Sequence, residues 1–530
     1  MSSNFKYLSE SNGCSGSSQP PSPDSGSPSI APIDRSNNSS NEPRRKGPTA
    51  YRKMSVLGLD VPGVVQTRFP KEVEDRIAEI GSKLVVAMVG LPARGKSYIV
   101  KKLTRYLNWL QYETKVFNVG NRRREKAASD EKCTGKSVDH SHNFFDPSNA
   151  EAKHLRDQLA MDTLEELIAW LKSGGRVGIL DATNSTIERR KLILDRCSKE
   201  SNIRVLFVES ICTDKNVLEK NMHLKLSGPD YKSKNPEEAL RDFKMRVANY
   251  ERAYQTIGEE EEANDVQYCK LINVGKKVIA HNISGYLSGQ CIFYLMNFNL
   301  AARQIWLTRH GESTDNMVGR IGGDASLSPK GHKFGHTLAR FIRHQRQIFK
   351  EEQGLLSHPL IDYSDHQFAV WTSMLARSQE TVEDFDPHEF DIKCIRMLNE
   401  IDAGICEGLT YEEIRQRYPS EYELRAKNKL AYRYPGGESY LDVIHRLQPL
   451  IIELERMTSS CLIVTHRVVM RILLAYLLDW HYLDMPNMHV PLHTIYCLEP
   501  REYGTVLKRF QYNSDTDWFD EIKESTHGAP

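Results

Sequence analysis

Short apolar runs alternate with amphipathic stretches through the first half of this chain. The runs are Leu84–Val89, Val116–Val119, Val177–Leu180, Val205–Val208 and Leu271–Val274, all between Gly81 and Gly289. Runs this short read as buried strands, and strands separated by helical patterns imply βαβ units and a parallel sheet. The segment Glu151–Ser173 illustrates the helices: Leu155, Leu159, Leu164, Leu167, Ile168 and Leu171 recur at helical spacing, and Gly174-Gly175 ends the pattern. The second half opens on another apolar run, Gln304–Thr308, and carries a further one at Cys461–Thr465.

The first run delivers Gly90-Leu91-Pro92-Ala93-Arg94-Gly95-Lys96-Ser97 into the helical pattern Tyr98–Trp109. A strand, a glycine-bounded loop and a helix form the context of a P-loop, which turns main-chain amides inward to cradle phosphates. Lys96 can then reach the terminal phosphates and Ser97 can take a place on Mg²⁺, with the partial positive charge of the helix N-terminus behind them. ATP is the expected occupant. Asp181 leaves the carboxyl end of a later strand in Asp181-Ala182-Thr183-Asn184. Open parallel sheets put their ligands there, so Asp181 can hold Mg²⁺ through water or orient an attacking hydroxyl.

In the second half the run Gln304–Thr308 delivers Arg309-His310-Gly311-Glu312. A histidine flanked by arginine and glycine suits a nucleophile for an anionic phosphorus: the cation neutralises charge and the small residue gives access. Downstream, Arg377, Glu400 and His466 supply a second arginine, a carboxyl acid and a second histidine, each near an expected element end where a sheet can converge them.

Composition narrows the classes. The chain has 530 residues, enough for two ordered domains plus tails. With 71 basic against 70 acidic residues the formal charge is +1, so no global field favours nucleic acid or an anionic membrane. The 10 cysteines are scattered without a C-x-x-C pair, which suits reduced thiols in a cytoplasmic protein. No run reaches membrane-span length. Residues 1–67 are rich in Ser, Pro, Asn and Gly, and read as a disordered tail. Within it Arg52-Lys53-Met54-Ser55 makes Ser55 the first site to test for a regulatory protein kinase.

These motifs, together with Leu-Thr-Arg-Tyr-Leu-Asn-Trp (103–109), Ile-Gly-Gly-Asp (321–324), Asn-Glu-Ile-Asp-Ala-Gly (399–404) and Arg-Tyr-Pro-Gly-Gly-Glu-Ser-Tyr (433–440), resemble in unbroken order the bifunctional 6-phosphofructo-2-kinase/fructose-2,6-bisphosphatase family. The resemblance implies an α/β protein. A disordered regulatory tail (1–80) would precede a P-loop kinase domain with a mainly parallel sheet (81–302). A histidine phosphatase domain of the phosphoglycerate-mutase type (303–515) and a C-terminal tail (516–530) would follow. It also implies a homodimer associating through its kinase halves, small-molecule sugar-phosphate substrates, and neither nucleic acid nor membrane as a partner.

For the kinase the resemblance assigns phosphate or nucleotide binding to Gly90 through Ser97, Asn221 and Lys225, and the metal to Ser97 and Asp181. Fructose 6-phosphate falls to Arg123, Arg156, Thr183, Arg189, Lys225, Arg246 and Tyr250. Lys96, Asp181 and Cys212 would be catalytic. For the phosphatase, His310 would be the nucleophile, Glu400 the proton donor and His466 its companion. Arg309, Asn316, Gly322, Arg377, Tyr411, Arg425, Lys429, Tyr440, Arg467 and Arg471 would hold fructose 2,6-bisphosphate.

Two segments, Lys126–Ser141 and Gln345–His366, look like insertions and are expected to be surface loops. Arg467 stands where the family usually carries glutamine, adding a cation beside the bisphosphate. Competing readings are an enzyme keeping only the kinase activity, a regulatory scaffold with degenerate sites, and a nucleic-acid 5′-kinase. The last is disfavoured by the balanced charge.

Overall fold

The computed structural model describes residues 83–134, 142–226, 228, 230, 231, 235–356, 368–501 and 504–522. Ser55 and the rest of the expected N-terminal tail lie outside them. Two sheets organise the described chain. The first has strand order β2-β3-β1-β4-β5-β6, with β1 (Lys83–Val89), β2 (Thr114–Asn118), β3 (Val177–Asp181), β4 (Ile203–Ile211), β5 (Tyr268–Ile272) and β6 (Lys277–His281). All neighbours pair in parallel except β5 with the edge strand β6, which is antiparallel. The second sheet has the order β13-β12-β11-β7-β10-β8-β9, formed by β7 (Ile305–Arg309), β8 (Phe368–Thr372), β9 (Phe390–Cys394), β10 (Cys461–Thr465), β11 (Thr494–Arg501), β12 (Gly504–Asn513) and β13 (Trp518–Glu521). Its β7, β8, β9 and β10 run parallel, and β11, β12 and β13 continue it antiparallel.

Every residue of β1 is buried, and the chain crosses from it to β2, then β3, before reaching β4 on the other side. The loop after β1 therefore opens at the point where the strand order reverses, the crevice that open parallel sheets offer to ligands. Helix α1 (Lys96–Trp109) follows directly. Further helices bring side chains to the same end: α2 (Val119–Thr134), α3 (Ala150–Lys172), α4 (Ile187–Cys197), α5 (Lys215–Leu226) and α6 (Pro236–Ala253). After α7 (Tyr286–Leu295) the chain enters the second sheet, flanked by α8 (Pro329–Leu356), α9 (Ala376–Thr381), α10 (Tyr440–Arg456) and α11 (Arg467–Leu478).

The two sheets share a core. Leu103, Tyr106 and Leu107 of α1 belong to one buried apolar cluster with Leu447 and Ile451 of α10 and Ile472 and Leu473 of α11. Polar contacts cross the same junction: Glu455 of α10 accepts from Lys102 Nζ at 2.8 Å and from Arg105 Nη2 at 2.6 Å, and Trp109 Nε1 donates to the Ile472 carbonyl.

The two expected insertion loops are corrected in their described parts. Residues 126–134 continue α2, and residues 345–356 continue α8. In α8 the buried stripe Phe334, Leu338, Phe341 and Ile342 runs on into half-buried Ile348 and Phe349, so helical periodicity was present where a loop was read. Among the described residues no helix is long and apolar enough to cross a membrane.

Candidate functional site

The first candidate site is a cavity of about 630 Å³ at the carboxyl end of the parallel sheet. Its floor is the loop after β1. Gly90 has φ +130°, and a Cβ there would stand 2.5 Å from the Ser210 carbonyl oxygen, so only glycine lets β1 and β4 close beneath the loop. Gly90 N donates to Thr183 O at 2.9 Å, and Asn184 Nδ2 donates to Met88 O at 2.8 Å. The Asp181–Asn184 turn is thereby stitched to the P-loop.

Lys96 is buried, and its Nζ donates to Gly90 O at 2.8 Å and to Leu91 O at 2.6 Å. Burial pulls its pKa down to about 7, with Lys225, Arg94 and Arg246 pushing the same way and Asp181 opposing them. Asp181 shares the cavity and accepts from Asn118 Nδ2 at 2.6 Å. Its carboxyl is pushed up by burial, against the pull of Lys96. Pro92 through Ser97, Asn221 and Lys225 line this space, and Asn221 Nδ2 donates to Ala93 O at 3.1 Å. Gly90 and Leu91 act through the carbonyls that hold Lys96.

The other end of the cavity is cationic. Arg123, Arg156, Arg189, Arg246, Thr183 and Tyr250 all line it. Arg189 pairs with Asp157, and Arg156 donates to the Phe144 carbonyl. Phe144 and Phe145 form a platform for the guanidiniums of Arg123 and Arg246, and Asp230 pairs with both. Sequence reasoning missed Asn118, Phe144, Phe145 and Asp230. The adjacent aromatic pair beside an arginine-rich helix was the one available signal. Cys212 is a correction: it is buried but does not line the cavity, and its Sγ lies 3.9 Å from Asp214 O. It sits just past the end of β4, where packing rather than chemistry explains a thiol.

The second candidate site is a chamber of about 370 Å³ over the parallel strands of the second sheet. Strand β7 ends at Arg309 and leads into His310, and β10 leads into His466. These strands are hydrogen-bonded neighbours, and His310 N donates to Thr465 O at 2.9 Å. The two imidazole centroids lie 5.0 Å apart. Strand β8 leads to Ser373, whose Oγ is 2.7 Å from His466 Nε2, and helix α9 adds Arg377, whose Nε donates to His310 Nε2 at 3.3 Å. Burial, then the charges of Arg377 and Arg309, hold the His310 pKa well below its usual value. His466 is held down by burial and by His310.

Glu400 faces the same chamber from the amino end of α11. Its Oε2 accepts from Arg467 N at 3.0 Å and its Oε1 from Val468 N at 3.1 Å. Arg309 is almost fully buried, and burial followed by the charge of Arg467 brings its pKa down to about 9. Its Nε is buried without a hydrogen-bond partner among the described residues. Asn316, Gly322, Tyr411, Arg425, Lys429, Tyr440, Arg467 and Arg471 complete the lining. Gly322 has φ +69°, the left-handed region that favours glycine, and Glu407 Oε2 accepts from the Gly323 amide beside it. Sequence reasoning placed Ser373 beside a strand end without a role, and missed Ser378, whose Oγ lies 3.3 Å from the same His466 Nε2, and Glu407.

A concentration of cations, with Lys96, Arg123, Arg309 and Arg377 buried, against few anions suits both spaces to phosphoryl groups. The family model for 6-phosphofructo-2-kinase matches residues 74–302, and that for the histidine phosphatase superfamily (branch 1) matches residues 361–513. The second match begins after Arg309 and His310, so their place in the chamber rests on geometry. A probable 6-phosphofructo-2-kinase of Schizosaccharomyces pombe is 50% identical over 486 residues, covering 83% of this chain and 71% of that protein. The 6-phosphofructo-2-kinase 1 of Saccharomyces cerevisiae is 48% identical over 91% of this chain, which spans 58% of that protein's length. The human 6-phosphofructo-2-kinase/fructose-2,6-bisphosphatase 3 is 43% identical, covering 82% of this chain and 78% of that protein.

Proposed function

Because this chain belongs to the 6-phosphofructo-2-kinase/fructose-2,6-bisphosphatase family, we propose that its first cavity makes fructose 2,6-bisphosphate from ATP and fructose 6-phosphate and its second hydrolyses it. The observation that carries this reading is that each space holds a set of phosphoryl-transfer groups: Lys96 with Asp181 in one, His310 with Arg377 and Glu400 in the other, where buried His466 packs behind His310 without lining the chamber. The corresponding domains are residues 81–302 and 303–515, with β13 (Trp518–Glu521) pairing with β12 and so joining the second domain rather than the expected C-terminal tail.

In the kinase, the P-loop amides and Lys96 hold the nucleotide phosphates, with Asn221 and Lys225 beside them. Ser97 and Asp181 carry the oxygen donors Mg²⁺ prefers and both line the cavity, so these residues would hold the ion. Bound Mg²⁺ supplies neutralisation of the phosphate oxygens. Arg123, Arg156, Thr183, Arg189, Arg246 and Tyr250 hold fructose 6-phosphate so that its O2 lies in line with the γ-phosphorus. Positioning and charge neutralisation supply most of the catalysis in such transfers.

In the phosphatase, Nδ1 of His310 lies 2.6 Å from the Gly311 carbonyl oxygen, which can only accept. Nδ1 therefore carries the proton and Nε2 the lone pair. Nε2 attacks the 2-phosphate phosphorus, the P–O2 bond breaks, and Glu400 gives its proton to O2. Glu400 then takes a proton from water as that water attacks the phosphohistidine. The N–P bond breaks, and phosphate leaves with Nε2 restored. Arg309, Arg377 and His466 stabilise the transferring group. Tyr411, Arg425, Lys429, Tyr440 and Arg471 hold the 6-phosphate end.

A homodimer associating through the kinase halves is supported by the edge strand β6, which has an outer side unpaired among the described residues and Val278 and Ile279 half-buried. A cytoplasmic location agrees with the free thiols of the described cysteines. A protein kinase acting at Ser55 would add regulation from the tail. A kinase-only reading is favoured by the names of the two yeast relatives, which mention no phosphatase. Incubation with bisphosphate labelled at the 2-phosphate is expected to leave acid-labile label on His310, and purified protein is expected to turn over in both directions. Kinase turnover without label selects the single-activity reading. Turnover in neither direction overturns both.

A further inference from the structure

The sugar-phosphate end of the first cavity contains an anion of its own. Asp230 Oδ2 accepts from Arg123 Nη2 at 2.8 Å and from Arg246 Nη1 at 3.1 Å, and its Oδ1 accepts from Arg124 Nη1 at 3.2 Å. Burial resists ionisation of this carboxyl, yet Arg123 and Arg246 hold it well below the usual carboxylate range. The arginines are fixed by stacking, with the Arg246 guanidinium 3.9 Å and that of Arg123 5.1 Å from the Phe145 ring centroid. Their donor sets are not filled. Arg123 Nε and Nη1 and Arg246 Nε are buried without a hydrogen-bond partner among the described residues.

We propose that Asp230 is an internal counter-anion that competes with the 6-phosphate of the substrate for Arg123 and Arg246, and so sets both the affinity and the dianion selectivity of this end. The proposal rests on the assignment of those arginines to fructose 6-phosphate. A carboxylate offers one negative charge and two oxygens, whereas a phosphate monoester offers close to two charges and three oxygens. A dianion entering here satisfies donors that Asp230 leaves unpaired, so exchange is favourable. A monoanion offers nothing that Asp230 does not already provide. Between turnovers the carboxylate keeps two neighbouring buried guanidiniums paired, which an uncompensated cluster could not tolerate cheaply.

The apparent affinity is then the intrinsic one scaled by the fraction of molecules whose arginines are released from Asp230. Replacing the charge with an amide of the same shape raises that fraction. In the full chain, Asp230→Asn is expected to lower the kinase KM for fructose 6-phosphate by about five- to tenfold, with kcat moving less than KM. Gluconate, a monoanionic sugar acid, is expected to inhibit this variant more strongly than the parent. Kinase kcat at saturating substrate in the same preparation reports folding of this cavity, and Asp230→Ser serves if the amide variant is unfolded.

Arg123→Met and Arg246→Met separate this proposal from the assignment beneath it. If both raise KM while the Asp230 variants leave it unchanged or raise it, the counter-anion is wrong and the phosphate cradle stands. If neither arginine variant moves KM, the cradle itself is misassigned and the proposal falls with it. A rise in the arginine variants together with a fall in Asp230→Asn supports both.

Discussion

Arg377 donates from Nε to Nε2 of His310 across 3.3 Å, on the ring nitrogen opposite the one that faces the Gly311 carbonyl. A nitrogen that accepts from a guanidinium holds a lone pair, so the imidazole is neutral with its proton on Nδ1. Burial and the neighbouring Arg377 and Arg309 charges depress the His310 pKa, which keeps that state as pH falls through the ordinary histidine value of 6.5. Nitrogen NMR at pH 6 is expected to show the Nδ1-protonated neutral tautomer for His310. An imidazolium signal there would contradict it. The same depression links to stability: below pH 6.5 the unfolded chain binds the proton that the folded ring refuses, so this contribution is lost as pH falls.

Ser373 stands at the end of β8, and its pairing with His466 is not legible in the sequence. Its Oγ, 2.7 Å from His466 Nε2, fixes the ring beside His310. Losing one hydrogen bond of this kind is worth about 1 kcal/mol, so Ser373→Ala is expected to lower bisphosphatase kcat by roughly fivefold to tenfold. Kinase turnover in the same protein gives the internal control, and an unchanged kcat would show that Ser373 does not orient His466 for the reaction.

Arg467 lines the chamber beside Arg309 and Arg471. Its charge contributes to the lowered pKa of Arg309, a mutual repulsion that a bound bisphosphate relieves. Arg467→Gln is therefore expected to raise the bisphosphatase KM by about threefold to tenfold with a smaller change in kcat, because binding substrate and transition state equally does not raise turnover. Identical steady-state kinetics would remove Arg467 from the substrate's surroundings.

Glu455 joins the two halves. Lys102 Nζ at 2.8 Å and Arg105 Nη2 at 2.6 Å face it in a site closed to solvent, with Tyr476 OH at 2.6 Å. Burial resists its ionisation, but the two cations bring its pKa down to about 2, from 4.5. Lys102 moves the opposite way energetically: burial outweighs Glu455 and lowers its pKa to about 8. The Glu455 contribution is thus present above pH 4.5 and lost as pH falls towards 2. Glu455→Gln leaves buried cations without their counter-charge and is expected to cost about 3–5 kcal/mol in urea unfolding. A cost below about 1 kcal/mol would mean that water enters the junction.

Much of this was legible along the chain. The buried run of β1, the P-loop after it, and the strand ends carrying Asp181, Arg309 and His466 depend on local order, because periodicity, turn chemistry and strand-to-helix transitions are properties of neighbouring residues. Residues 126–134 and 345–356, expected as surface loops, are polar stretches of long helices in which Gly354 is the one glycine or proline.

Pairing across long separations was a different matter. That Asp230 meets Arg123, that Ser373 meets His466, and that Glu455 meets Lys102 depends on which strands and helices become neighbours. The sequence by itself determined the elements and the chemical inventory at their ends. Only the tertiary structure decided how each charge is compensated, because an ion pair or a buried hydrogen bond requires two groups within about 3 Å and carries no periodic trace in the chain.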